Sequence, residues 1–345
     1  MDWSIAKILM QDGLVTGVIY ALLAVSLVLV FAVTRIILIV QGEFVTYGAL
    51  TFAALADDQV PGTRWLLVIA GLLVFARELW LVFKGKPAVT LIRSALFCLA
   101  LPILVFFAVP AILGTAPSLW VKALMTLFLV VPLGPMLYKL AYESMADSSV
   151  LVLFVISIAV HFVFVGMGLA FFGAEGRLVA QPFFDGQLEL FGLNWTYQSL
   201  FVIAMTAVII AALWLFFGYT LYGKALRATA VNRRGARLVG ISTNMSGLLT
   251  FLLSSIVGVL SGIMIVSFIS ITYETGFMIG LKGFVGAIIG GLMSYPVAAA
   301  GALLVGIIES FSTFWASEYK EVIVFALIIP VLLILSVTSR HDEEE

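Results

Sequence analysis

Glu43, Lys282 and Glu309 stand inside apolar runs long enough to reach the middle of a bilayer, and their charges need an account. A charge at the bilayer centre costs about 2.5–3.5 kcal/mol on insertion scales, so each must face protein or a wet cavity. Such residues either neutralise one another or mark a polar pathway, and at the level of sequence both stay open. A second set is basic. Gly223 to Asn244, GKALRATAVNRRGARLVGISTN, carries Lys224, Arg227, Arg233, Arg234 and Arg237 and no acidic residue, between two apolar runs. A basic loop between spans is expected on the cytoplasmic side. Ala225 to Leu238 is rich in helix formers, Gly240 suits a helix stop, and Ser242, Thr243 and Asn244 can cap the helix that follows. The loop is either a topological anchor at the lipid headgroups or a helix along the membrane that docks a cytoplasmic partner.

Little else in the chain offers chemistry. The phosphate-cradling pattern G-x-x-x-x-G-K-[ST] does not occur, so ATP binding by that route is not expected. Two histidines, His161 and His341, and one cysteine, Cys98, make neither a metal cluster nor a nucleophile–base pair. No catalytic residue, metal ligand or cofactor is therefore expected, and the chain reads as a non-enzyme. His161, alone on an apolar span, reads as packed and hydrogen-bonded. Cys98 reads as a small buried hydrophobe that excludes an internal disulfide.

The elements that position these residues must be membrane helices. The chain is 63% hydrophobic and 11% charged over 345 residues, against about 45–50% and about 25% for a soluble domain. The apolar runs exceed the ~9–11 residues of a barrel strand and lack strand alternation, so the fold class is all-α and polytopic. Eleven crossings are expected, with nine as the lower bound, at about 14–33, 36–56, 65–83, 94–113, 117–138, 150–172, 198–222, 245–271, 276–294, 297–316 and 322–338. The run 36–56 has Gln41, Gly42 and Glu43 near its middle, and 276–294 holds six glycines; either can be broken or re-entrant. The spacings Gly258/Gly262, Gly276/Gly280 and Gly286/Gly290 predict close helix packing, within the chain, at a subunit interface or along a path. Residues 173–195 form the longest non-spanning segment on the side opposite the basic loop. Residues 1–12 read as an interfacial lead with Trp3 and Lys7. The run 14–33 exceeds the ~7–15 residues of a signal h-region, so no cleaved signal is expected. A cytoplasmic basic loop puts the N-terminus outside and the C-terminus inside. Eleven Lys and Arg then lie on the cytoplasmic side against six opposite; without the loop's five the count is level, so orientation rests on the loop.

Several stretches together resemble one family. GKALRATAVNRRGARLVGISTNMSGLLTF (223–251), GFMIGLKGFVGAIIGGLMSYPVAAAGALLVGIIES (276–310) and SEYKEVIVFALIIPVLLI (317–334) are similar to LivH-type permeases of branched-chain amino acid ABC importers. GLVTGVIYALLAVSLVLVF (13–31) and the QGE at 41–43 fit the same family's first two helices. Two departures stand out. The family reads N-x-A-H-G-E where this chain has Leu38-Ile39-Val40-Gln41-Gly42-Glu43, and residues 66–113 look like a two-span insertion into a single permease domain, 1–345. The resemblance implies a multi-pass subunit of the plasma (inner) membrane that carries branched-chain amino acids or a similar small polar solute. It further implies two cytoplasmic ABC ATPases, a second permease that is LivM-like or a copy, and an extracytoplasmic solute-binding protein. Membrane lipid is the remaining partner, and no nucleic acid is expected. Residues 223–244 become the ATPase coupling loop, with Arg227, Arg233, Arg234, Gly235, Arg237 and Gly240 as coupling residues. Tyr20, Gln41, Gly42, Glu43 and Thr46 become the suggested translocation path. The alternative is a stand-alone secondary transporter or channel, which needs no ATPase.

Overall fold

The structure is a computed structural model that describes residues 3–85, 87, 89–190 and 192–333, the side chains of 89, 90 and 93 excepted. The acidic tail 342–345, Arg340, His341, Lys86 and the end of the last expected span lie outside these residues.

The long apolar runs fold as helices because only a helix satisfies its own backbone within hydrocarbon. In chain order these are α1 (Trp3–Thr34), α2 (Gln41–Ala56), α3 (Thr63–Phe83), α4 (Val89–Ala95), α5 (Leu101–Leu113), α6 (Leu119–Val130), α7 (Leu133–Leu137) and α8 (Val150–Phe172). They continue with α9 (Tyr197–Tyr219), α10 (Leu221–Val231), α11 (Arg233–Leu238), α12 (Thr243–Ile265), α13 (Thr275–Ile289), α14 (Tyr295–Trp315) and α15 (Lys320–Ala326). Among the described residues, eight helical stretches are long and apolar enough to cross a membrane. The three other expected spans, 36–56, 276–294 and 322–338, correspond to the shorter α2, α13 and α15. One segment departs from an all-helical chain. Within 173–195, Gln187–Leu190 (β1) and Leu193–Thr196 (β2) pair antiparallel, Leu190 opposite Leu193. These strands are too short and too exposed for alternation to have marked them in the sequence.

The centre of the bundle is α1, packed against α12, α13 and α14, with α2 held between α12 and α13. Every residue of α1 from Gly17 to Val30 is buried. By contrast α3, α5, α8 and α9 carry large exposed apolar side chains, among them Leu72, Phe107, Phe162 and Trp214, as a lipid-facing rim should. The described residues of 66–113 lie on that rim as α3 and the α4–α5 stretch, which passes through a π turn at Leu96–Ala100 just before Pro102. Proline has no N–H for the helical ladder, which accounts for the local widening.

α2 begins deep in the bundle. Arg35, at φ +63°, ends α1, and residues 35–40 are non-helical. The first residue of α2, Gln41, donates through Nε2 to the Ser254 carbonyl oxygen at 3.2 Å and accepts from the Ser254 hydroxyl. Ser254 lies halfway along the 23-residue α12. The far end of α2 is closed by Lys122, whose Nζ donates to the Ala56 carbonyl oxygen at 3.3 Å and to Asp58 at 2.7 Å. That places a cation at the negative end of the helix dipole. Close approach of α2 to α13 depends on paired glycines: a Cβ on Gly42 would overlap the Gly276 carbonyl oxygen, and one on Gly276 would overlap Thr46 Oγ1.

Gly276→Ala should therefore force α2 off α13 and destabilise the protein by about 1–3 kcal/mol. Gly166→Ala, with open space around the added methyl inside α8, should leave stability unchanged or raise it by up to about 1 kcal/mol. Thermal unfolding of the detergent-solubilised protein checks both.

Candidate functional site

Two polar clusters flank α13. The first is built on the start of α2. Glu43 is fully buried, and its Oε1 lies 2.8 Å from Nδ1 of His161. His161 stands halfway along the 23-residue α8, so the carboxylate and the imidazole meet at mid-depth of the bundle. Glu43 Oε2 and Thr46 Oγ1 are buried with no hydrogen-bond partner among the described residues. One turn on, the Tyr47 hydroxyl donates to the Phe164 carbonyl oxygen at 2.7 Å and ties α2 to α8 a second time. The Phe277 ring lies 4.6 Å from the imidazole, centroid to centroid. A cavity of about 400 Å³ opens beside His161, walled by Ile37, Leu38, Ile39, Phe154 and Phe277 among others.

The second cluster joins α1, α13, α14 and α15. Lys282 Nζ lies 2.5 Å from Glu309 Oε1 and 3.2 Å from Glu321 Oε1, and the Tyr20 hydroxyl donates to Glu309 Oε2 at 2.8 Å. Lys282 and Glu309 thus neutralise one another, which was one of the two readings open for them. Glu43 is not part of that exchange. Of the five suggested path residues, Gln41, Gly42, Glu43 and Thr46 share the α2 turn, whereas Tyr20 belongs to the second cluster. His161 is packed and hydrogen-bonded, as expected, but neither its partner Glu43 nor the place of Glu321 in the second cluster is foreseen by the sequence. The signal for His161 was available: a mid-span carboxylate needs a partner, and one of the two histidines also sits mid-span.

The basic loop folds as α10 and α11. Thr220 Oγ1 accepts from Gly223 N at 3.0 Å, Asn232 Oδ1 from Gly235 N at 2.8 Å and Ser242 Oγ from Met245 N at 3.3 Å, so three helix starts are capped by side chains. Gly240, at φ +85°, sits just past α11, and Ile241 N closes the end on the Ala236 carbonyl oxygen at 2.9 Å. The arginines divide into two pairs. Arg233 donates to the Ala146 carbonyl oxygen at 2.8 Å, and Arg237 donates to Asp147 at 2.8 Å and to Thr243 at 3.0 Å. Both brace the loop against residues 143–149. Arg227 and Arg234 are exposed, beside the exposed apolar side chains of Val231, Leu238 and Val239. That mixed basic and apolar edge was not evident from the charge pattern, because which arginines are tied down depends on Ala146 and Asp147.

Lys282→Met would leave Glu309 and Glu321 without their cation. The expected loss of stability approaches the about 3–5 kcal/mol of a broken dry pair, reduced by the partial exposure of Glu321. Adding Glu309→Gln should recover part of it, as read by thermal unfolding in detergent.

Residues 9–332 match the family described as branched-chain amino acid transport system / permease component. The chain is 26% identical to the high-affinity branched-chain amino acid transport system permease protein LivH of Escherichia coli K12 over 348 aligned positions, covering 97% of this chain and 96% of that protein. It is 24% identical to the probable branched-chain amino acid transport permease protein LivH of Methanocaldococcus jannaschii, covering 85% and 90% respectively. BraD of Pseudomonas aeruginosa, named for the same transport system, is 30% identical over 45% of this chain and 52% of its own length. The chain belongs to the permease-component family of branched-chain amino acid transport systems, as a multi-pass protein of the plasma membrane.

Proposed function

We propose that this chain is the membrane-spanning subunit of an ATP-driven importer for branched-chain amino acids or closely similar small polar solutes. It supplies the path and the coupling, and separate subunits supply the energy. The observation that carries this reading is the α10–α11 loop: capped at both helix starts, braced by Arg233 and Arg237, and presenting Arg227, Arg234, Leu238 and Val239 outward. A loop that served only as a headgroup anchor would not need the brace. The partners in this reading are two cytoplasmic ABC ATPases that receive the loop, a second permease that is LivM-like or a copy, and an extracytoplasmic solute-binding protein.

The topology in this reading has eleven crossings, the eight long helical stretches together with α2, α13 and the segment starting at α15. The N-terminus is outside and the C-terminus cytoplasmic, because the basic loop is taken as cytoplasmic. Residues 66–113 are a peripheral two-span addition, a reading their lipid-facing position supports. The path runs along α13, with Gln41, Gly42, Glu43 and Thr46 on one face and Tyr20 on the other.

Leu238→Asp should weaken capture of the ATPase by the permease by tens of fold, about 2 kcal/mol, as for a well-packed apolar anchor. Arg227→Glu with Arg234→Glu should weaken it further at low salt than at high salt. Co-purification and ATP-dependent leucine uptake in proteoliposomes read both. Uptake by this chain alone, driven by an ion gradient without ATPase subunits, would instead establish a secondary transporter.

A further inference from the structure

Residues 35–40 are non-helical and lead to a helix start at mid-depth of the bundle. Within a membrane, irregular backbone is tolerated only where it is packed in protein or lines a water-filled cavity. Here Ile37, Leu38 and Ile39 form one wall of the cavity of about 400 Å³. That volume lies within the roughly 300–1,000 Å³ of small-molecule sites. Of the residues lining it, His161 alone carries a side chain that can hydrogen-bond. A second cavity, of about 310 Å³ beside α3, α7 and α8, has no nitrogen- or oxygen-bearing side chain in its wall. The imidazole is therefore what sets the first apart.

We propose that this cavity is a solute subsite in which His161 is the polar contact and the carbon wall receives a branched aliphatic side chain. The inference deepens the transport function proposed above and rests on it. Where Glu43 is ionised it only accepts hydrogen bonds, and Nδ1 of His161 then carries the hydrogen directed at Oε1. In the neutral ring Nε2 is then an acceptor, and it has no partner among the described residues. An acceptor backed by a buried carboxylate selects an N–H donor and leaves the solute's own carboxylate to lie outside the carbon wall. A solute with an ammonium group and an aliphatic branch meets both demands, the ammonium at Nε2 and the branch against Phe154 and Phe277. Glu43 acts through His161 as a positioning residue, holding the tautomer and the ring.

The test uses the assembled importer in proteoliposomes, with its binding protein and ATPases and with leucine as the solute. His161→Phe keeps the ring's bulk and removes the acceptor. Leucine moved per ATP hydrolysed should fall about tenfold, the worth of one buried hydrogen bond, and His161→Gln should restore most of it. Independently, Ile158, which lines the cavity, is replaced in the Ile158→Cys variant on a Cys98→Ala background that removes the one native thiol. Saturating leucine should slow alkylation of the new thiol by N-ethylmaleimide. Alkylation indifferent to leucine, or governed by the acyl-chain length of the liposome lipid, would show a lipid-filled cleft and overturn the proposal. An unchanged coupling ratio in His161→Phe would do the same. If the unaltered complex takes up no leucine, the transport function falls, and the subsite with it.

Discussion

A carboxylate in the middle of a membrane has to be met by something, and in this protein Glu43 is met by His161. Much of the architecture around α2 serves that meeting. The helix starts at mid-depth because a non-helical segment brings the chain there. It is fixed by the reciprocal Gln41–Ser254 hydrogen bonds and seated against α13 by glycines that admit backbone-to-backbone contact. Lipid offers no hydrophobic force to press helices together, so small residues and interhelical hydrogen bonds have to do it. The same economy explains Lys282, which brings two carboxylates and a tyrosine hydroxyl under one cation where four helices meet.

The two functional regions are mechanically continuous. α12 begins at Thr243, whose hydroxyl accepts from Arg237 of the basic loop, and carries at its midpoint the Ser254 that holds the start of α2. One 23-residue helix thus joins the loop to the mid-membrane turn. Asn244 and Arg77 both bond Glu143, so α3 is tied to the same junction. A rim helix that touches the base of α12 is placed to stiffen it, whatever its origin.

Composition and run length made the helical membrane fold legible, and local chemistry made the loop legible: Gly240 does terminate a helix and Ser242 does cap the next. That Lys282 and Glu309 needed an account was legible from the cost of burying either alone; that they meet one another was not. What stayed hidden depended on contacts between distant segments. Glu43 and His161 are 118 residues apart, and although both sit mid-span no spacing rule pairs them. The hairpin at 187–196 is too short for alternation to register. The division of the loop arginines into braces and exposed groups is set by Asp147, on another loop.

The central claim is that Glu43 and His161 act as one unit at the heart of the path. A double-mutant cycle of Glu43→Gln and His161→Phe tests it most directly, read as leucine transported per ATP by the assembled complex. If the two act together, the double variant should lose no more than the worse single variant. Losses that multiply would contradict the account, because each residue would then be acting on its own.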